Sequence, residues 1–380
     1  MKAVGVLLAI CGLRLATVAV DVWAADLPGE ELLTNRGFES VGPLGPVIYA
    51  YQGWTVRNGL VPGGWAGLPC GPEAAVEMVQ DEGAHSGKAF MRISSGSQSP
   101  EVFSEPFYQT APGMCFEMSV WARGKGRGSL FAYEYGGTMA GRYVRTFDLT
   151  TEWTQHGGLY FPDEHSQQIR FVLRTFPGST ADYDDLGMVK LSDSAVTPEM
   201  AGELLDNGGL EHETPVREEW VRKLSLAAGT PQPDFFELDG EQATITMVHG
   251  RDGAHSGEVC ARLARTAEGG WLRLYTTRGQ KALPGFGFVL KAWLRGRGSA
   301  WLGLYDAAAA GGPAGRTHEV DDQWREYSVT LIPAPSAKSV RFAVGTSGPE
   351  LWVDDVSLTY ARTAGADRSG SGRDPDMEQD

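Results

Sequence analysis

An all-β chain, built as two tandem β-sandwich domains, is predicted from three features of the sequence. One ordered set of motifs occurs twice at a nearly constant offset. Short apolar runs alternate with polar residues at the two-residue period of strands. The chain carries 50 Gly and 21 Pro among 380 residues, with no collagen-like period, so turns recur between those runs.

The repeat sets the domain organisation. Glu31-Leu32-Leu33-Thr34-Asn35-Arg36-Gly37-Phe38-Glu39 returns as Glu203-Leu204-Leu205-Asp206-Asn207-Gly208-Gly209-Leu210-Glu211. Gly83-Ala84-His85-Ser86-Gly87 returns at Gly253 to Gly257, and Trp121-Ala122-Arg123-Gly124 returns as Trp293-Leu294-Arg295-Gly296. Trp153 answers to Trp324, Ile169 to Val172 answers to Val340 to Ala343, and Tyr183-Asp184-Asp185-Leu186 answers to Val353-Asp354-Asp355-Val356. The spacing places copy 1 at 30–193 and copy 2 at 203–360, each roughly 160 residues and large enough for its own core. The joining segment, Asp193 to Gly202, is too short to hold them far apart. Residues 361–380 are Gly, Ser and charge, and are expected to be disordered.

Each strand assignment follows from local pattern. Phe116, Met118 and Val120 alternate with Glu117, Ser119 and Trp121, and Val289 to Leu294 and Val340 to Val344 are similar runs. The stretches Gly124 to Gly128 and Gly296 to Gly298 lack the spacing of a phosphate loop and are expected to be hairpin turns. Leu272, Leu274, Leu302 and Leu304 are expected to build the core. Trp271, Arg273, Tyr275, Trp301 and Tyr305 then face the other way. In copy 1, Leu130 and Ala132 oppose Phe131, Tyr133 and Tyr135, with Phe131 and Tyr135 aligned to Trp301 and Tyr305. Trp121, Trp153, Trp293 and Trp324 are expected in the core.

Residues 1–24 are expected to be a signal peptide. Lys2 precedes the apolar runs Val4 to Ile10 and Leu13 to Val20, which Arg14 interrupts, and Val22-Trp23-Ala24 ends in a small residue. Ile10 before Cys11 is too large for a lipoprotein site. No stretch of about 20 uninterrupted apolar residues exists, so no membrane span is expected. The protein is therefore expected to be secreted or extracytoplasmic. A net charge of −15 disfavours nucleic acid, anionic lipid and acidic polysaccharide, and suits a neutral polysaccharide or oligosaccharide. In an oxidising compartment Cys70 and Cys115 are within one copy and could pair, leaving Cys260 buried and free. No Cys/His spacing suggests zinc.

The opening Asn-x-Gly-Phe-Glu, the His-Ser-Gly turn before a strand, the Tyr108-Gln109 before Pro112-Gly113 and the closing Asp-Asp pair resemble the cellulose- and xylan-binding modules of the family 4, 9 and 22 type. The resemblance spans nearly all of both copies. It implies a galactose-binding-like jelly roll with one structural calcium per domain. By that resemblance the ligands are the Gly37 carbonyl, Glu39, Glu82 or Asp81, the Lys88 carbonyl and Asp184. In copy 2 they are Gly209, Glu211, Asp252, the Glu258 carbonyl and Asp354. Calcium takes six to eight hard oxygens, so this mixture of carboxylates and carbonyls suits it. On a regular strand Asp184 and Asp185 would point to opposite faces, and the inward carboxylate would need a cation or donors.

Outward aromatics suit a sugar platform, because the C–H face of a pyranose packs on a ring. The alternative is that a second sheet or the neighbouring copy covers them. The binding candidates are Phe131, Tyr133, Tyr135, Trp271, Tyr275, Trp301 and Tyr305, with the two copies expected to differ in ligand or affinity. No His-Glu-x-x-His, Gly-x-Ser-x-Gly or nucleotide fingerprint is present. His85 and His255 are expected to be structural, and no catalytic residue is expected. Three functions remain open: a non-catalytic glycan-binding protein, an extracellular structural or protein-interaction module, and a glycan-active hydrolase or lyase accessory.

Overall fold

The computed structural model describes residues 29–43, 55–68, 71, 73–136, 140–305 and 314–363. The proposed signal peptide, Cys70 and residues 364–380 lie outside them. Strands account for nearly all the regular structure, and each copy is a pair of sheets, antiparallel but for the short Thr55–Val56 strand, closed over one core.

One long strand organises each copy. In copy 1 it is Met114–Tyr135. Its first half pairs with Thr154–Tyr160 and Thr180–Ser192 in one sheet, and its second half pairs with Ala140–Leu149 and Gln168–Thr175 in the other. Ala89–Ser94 and Ala75–Gln80 extend the first sheet, while Glu101–Ser104 and Trp65–Leu68 extend the second. Copy 2 repeats the plan around Phe286–Tyr305. That strand joins Arg325–Leu331 and Glu350–Arg362 on one side to Ala314–Val320 and Ser339–Thr346 on the other. Trp271–Thr276 and Phe236–Glu241 then extend the second sheet. The strand ending at Arg362 overruns the start expected for the tail.

The glycine stretches are not hairpin turns. Gly124 to Gly128 and Gly296 to Gly298 lie within the long strands, where one strand passes from sheet to sheet. A Cβ at Gly124 would lie 2.1 Å from the Thr180 carbonyl oxygen, and Gly124 and Gly126 have φ of 143° and 91°. Glycine marks a sheet corner here, not a reversal.

The leucines predicted to be internal are so: Leu130, Leu272, Leu274, Leu302 and Leu304 are buried, packed with Phe116, Phe171 and Tyr183 in copy 1 and with Phe288, Phe342 and Val353 in copy 2. Trp121, Trp153, Trp293 and Trp324 differ from expectation, being only partly buried. Alternation explains it: Val120 and Ala122 point inward, so Trp121 faces outward.

The copies touch. Cys115, Leu159 and Leu191 of copy 1 belong to one apolar cluster with Leu205, Leu210 and the copy 2 core. Polar links surround it. Arg145 Nη1 donates to the Glu203 carbonyl at 2.7 Å, and the Thr146 N–H donates to Asp206 Oδ1 at 2.9 Å. Arg127 pairs with Asp234 at 3.2 Å, and Lys338 pairs with Glu164 at 2.6 Å. Cys115 and Cys260 are buried thiols, each pushed up to about 12 by burial. No described helix is long and apolar enough to cross a membrane.

Candidate functional site

The second sheet of copy 2 presents the aromatic face. Trp301, Gly303 and Tyr305 of the long strand stand opposite Gly345, Ala343 and Arg341. Trp271, Arg273 and Tyr275 lie on the next strand, where Arg273 and Tyr275 stand opposite Gly345 and Ala343. Three glycines shape this face. A Cβ at Gly303 would lie 2.2 Å from Trp301 Cζ2, and one at Gly315 would lie 2.6 Å from the same ring. The indole therefore lies flat across two strands that have no side chains beneath it. A Cβ at Gly345 would lie 2.4 Å from Arg273 Cγ, so the Arg273 stem crosses that strand. Its guanidinium sits 4.8 Å from the Trp301 ring and 4.9 Å from the Trp271 ring. Trp271 and Trp301 are partly exposed and Tyr305 is 42% exposed. Tyr275 is buried, edge-on to Tyr305 at 5.9 Å with the Arg341 guanidinium 5.7 Å away.

The same face of copy 1 is closed at its centre. Phe131 faces outward from the core as predicted but is only 4% exposed. Its ring lies over Gly141, edge-on to Tyr143 at 5.0 Å and Tyr133 at 5.3 Å, with the Arg174 guanidinium 4.4 Å away. Arg174 Nε donates to the buried Glu101 carboxylate at 2.6 Å, and Tyr133 donates its hydroxyl to the same carboxylate. Burial, and then Glu101, raise the Tyr133 phenol above its ordinary range. Tyr135 is partly buried beside Phe107, which is 44% exposed and lies 3.8 Å from the Arg170 guanidinium. Phe107 carried no pattern that singled it out in the sequence.

The alignment of Phe131 with Trp301 is off by two residues. Phe131 pairs with Val172, and Val172 answers to Ala343, which pairs with Gly303. Trp301 therefore corresponds to Ser129, Gly303 to Phe131, and Tyr305 to Tyr133. The cross-strand pair Ser129 and Arg174 in copy 1 becomes Trp301 and Gly345 in copy 2. Glu101, opposite Arg174, becomes Arg273, opposite Gly345.

The closing Asp pair forms the second recurrent cluster. Asp184 Oδ2 accepts from the His85 and Ser86 N–H groups at 2.9 and 3.1 Å, and Oδ1 accepts from the Asp185 N–H at 2.8 Å. Asp185 Oδ2 meets His85 Nδ1 at 2.6 Å, and Oδ1 accepts from the Ser86 hydroxyl at 2.8 Å. The two carboxylates do not go to opposite faces. Asp185 has φ of 42° at a register shift in the pairing, which swings both carboxylates onto one turn. Copy 2 repeats every one of these bonds through His255, Ser256, Asp354 and Asp355. His85 stacks on Trp121 at 3.8 Å, and His255 stacks on Trp293 at 3.6 Å. Serine and histidine share one carboxylate, and the hydroxyl donates to it rather than to the imidazole. The imidazole does not meet the hydroxyl, so the trio clamps a turn and is not arranged as a Ser–His relay.

Glu39 Oε1 reaches the same turn, accepting from the Lys88 and Ala89 N–H groups at 2.8 and 3.0 Å, and Glu211 does likewise in copy 2. A Cβ at Gly37 would lie 3.5 Å from Asp184 Oδ1, and one at Gly87 would lie 2.1 Å from Glu39 Oε1. Glu39 and Asp184 thus bind neighbouring parts of one turn, as Glu211 and Asp354 do, and it is the N–H groups of Lys88 and Glu258, not their carbonyls, that meet the glutamates. The Glu258 carbonyl also accepts from the Gly250 N–H at 2.7 Å, and its side chain lies 3.8 Å from Arg251. Glu82 and Asp252 are exposed, and Asp81 Oδ1 accepts from the Gly83 N–H at 2.6 Å. Among the described residues no three His, Cys, Asp or Glu side chains gather as a metal group, so a cation here would take two carboxylates plus carbonyls. Asp184 and Asp354 are fully buried, and desolvation pushes each up to about 6 despite its N–H donors.

A cleft of about 740 Å³ lies between the copies. Tyr143, Phe161 and Phe235 line it with Arg142, Arg278 and Lys281. Tyr143 meets Phe235 of copy 2 edge-on at 5.6 Å, so copy 2 covers one end of the copy 1 face.

No protein-family model matches the chain, and no curated protein matches it in sequence. Among solved structures it is similar to the tandem CBM22-1–CBM22-2 domain of Paenibacillus barcinonensis Xyn10C, at 15% identity over 89% of this chain and 99% of that one, with a TM-score of 0.32. It is also similar to the CBM22-1 xylan-binding domain of the same protein, at 15% identity over 43% of this chain and 97% of that one, with a TM-score of 0.30. A third is the family 16 carbohydrate-binding module-2, at 18% identity over 30% of this chain and 84% of that one, with a TM-score of 0.24. Likenesses this distant carry no weight for what this chain binds.

Proposed function

We propose that this chain is a secreted, non-catalytic glycan-binding protein whose principal site is the aromatic face of copy 2. The observation that carries this reading is the Trp301 indole, laid flat over Gly303 and Gly315 and partly open to solvent. Placing a large ring over two glycines leaves broad, rigid apolar area with little rotamer entropy to lose, which is what stacking against the C–H face of a pyranose requires. Trp271 and Tyr305 lengthen the surface beyond one sugar ring. The negative net charge favours a ligand that is neutral over most of its length and disfavours nucleic acid. Calcium held by Glu39 and Asp184, and by Glu211 and Asp354, would offset the buried carboxylates and fix the turn they share. Its role would be structural, since both clusters sit with the His-Ser turns and none of the platform rings is among their partners.

Affinity electrophoresis tests the reading. The protein without residues 1–24 should be retarded in native gels containing at least one of β-glucan, xylan or mannan, and Trp301→Ala should run as in a polymer-free gel. Equal mobility in every gel would move the weight to a protein-interaction role.

A further inference from the structure

The platform carries a cation that no carboxylate among the described residues pairs with. In copy 1 the corresponding position is an internal ion pair: Arg174 lies over Phe131 and is held by Glu101 across the strand. In copy 2 the Glu101 position is Arg273 and the Arg174 position is Gly345. The two substitutions remove the carboxylate and reverse which strand supplies the arginine. Of the acids on the neighbouring strand, two are engaged by other cations, and the third, Glu241, is exposed at the strand end opposite Trp271 and makes no ion pair with Arg273. Glu237 is bound by Arg217 at 2.6 Å and by Arg341 at 2.7 Å, and Asp239, directly opposite Arg273, goes to Lys223 at 3.5 Å. Among the described residues Arg273 makes no ion pair. One hydrogen bond, Nη1 to the Tyr275 hydroxyl at 3.3 Å, accompanies its two indole contacts.

We propose that Arg273 makes the copy 2 platform selective for glycans bearing isolated carboxylates, uronate substituents on an otherwise neutral chain. This rests on the glycan-binding reading above. The two indoles contact the guanidinium and hold it in the platform, while its remaining N–H groups have no partner among the described residues. A guanidinium held in this way presents a planar fork that fits a carboxylate in bidentate fashion, and indole contacts lower the cost of ordering it. The overall charge of −15 sets the density of those carboxylates. A continuous polyanion would be repelled along its whole length, whereas a sparse uronate meets one local cation between two stacking rings.

The test is calorimetric titration of the full chain with soluble glucuronoxylan and with the same polymer after its carboxyls are reduced to hydroxyls. The wild type should bind the native polymer about tenfold or more tightly than the reduced one, with the difference shrinking in high salt. Arg273→Met should bind the two alike, and Arg273→Lys, which keeps charge but loses the fork, should fall between. Equal binding of both polymers by the wild type, or stronger binding of either by Arg273→Met, overturns the proposal while leaving glycan binding intact. Binding of neither polymer overturns it, and if β-glucan and mannan are also unbound the underlying reading falls with it.

Discussion

The ion pair that closes the face of copy 1 can be broken by one substitution. Glu101 is 5% exposed, and its carboxylate serves both Arg174 and Tyr133. Glu101→Gln leaves the Arg174 guanidinium above Phe131 without a counter-charge. Breaking a buried pair from one side costs about 3–5 kcal/mol, and Arg174, 20% exposed, belongs at the lower end, about 3 kcal/mol. Arg174→Met strands Glu101 and should cost a similar amount. The double variant leaves no unpaired charge, keeps a flexible apolar chain over Phe131 and retains a Tyr133 partner, so it should lose about 1 kcal/mol. Urea unfolding of all four proteins, followed by tryptophan fluorescence, measures the coupling. The expected coupling is about 5 kcal/mol, the two single costs less that of the double variant. Single variants that each cost under about 0.5 kcal/mol would show that the pair behaves as an ordinary surface contact and does not hold the face closed.

Three further outcomes follow from the same structure. His156 stacks on Phe147 at 3.9 Å, and burial, followed by Arg145, lowers it to about 4 from 6.5. The unfolded chain takes the proton first, so His156 contributes stability that is present above pH 6.5 and lost as pH falls toward 4. The loss should be about 2–3 kcal/mol between pH 7.5 and 4.5, seen as the difference in that interval between wild type and His156→Gln; equal pH slopes would refute it. Saturating calcium should raise the melting temperature by about 5–10 °C over chelator, and Asp184→Ala with Asp354→Ala should remove the rise; a melt unmoved by calcium would rule out the structural cation. Phe107→Ala should change glycan affinity less than threefold, because the ring lies at the rim of the closed face, and a larger loss would locate a site in copy 1.

Much of the fold was legible because repetition is independent of propensity. The recurrence of Gly-Ala-His-Ser-Gly and the Asp-Asp pair located both copies, and the alternation around Leu302 and Leu304 placed the core. What the chain could not display is register between distant strands. Aromatic identity aligns Phe131 with Trp301, whereas hydrogen bonds to Gln168–Thr175 and Ser339–Thr346 put Trp301 at the place of Ser129. The Gly124 to Gly128 corner looked like a reversal because glycine serves both ends, and only the Thr180 carbonyl beside it distinguishes them. The positive φ of Asp185 is likewise a backbone fact with no signature in an Asp-Asp dipeptide. Exposure of the aromatics turned on Arg174 and Glu101, some 70 residues apart and joined only in the fold.

The two copies are asymmetric: among the described residues the open platform lies in copy 2. The most direct measurement is calorimetric titration of the full chain with whichever polysaccharide retards it, comparing wild type, Trp301→Ala and Phe131→Leu. Loss of binding in Trp301→Ala alone, with Phe131→Leu within twofold of wild type, is the predicted result. Undiminished binding by Trp301→Ala, or loss only in Phe131→Leu, would contradict it.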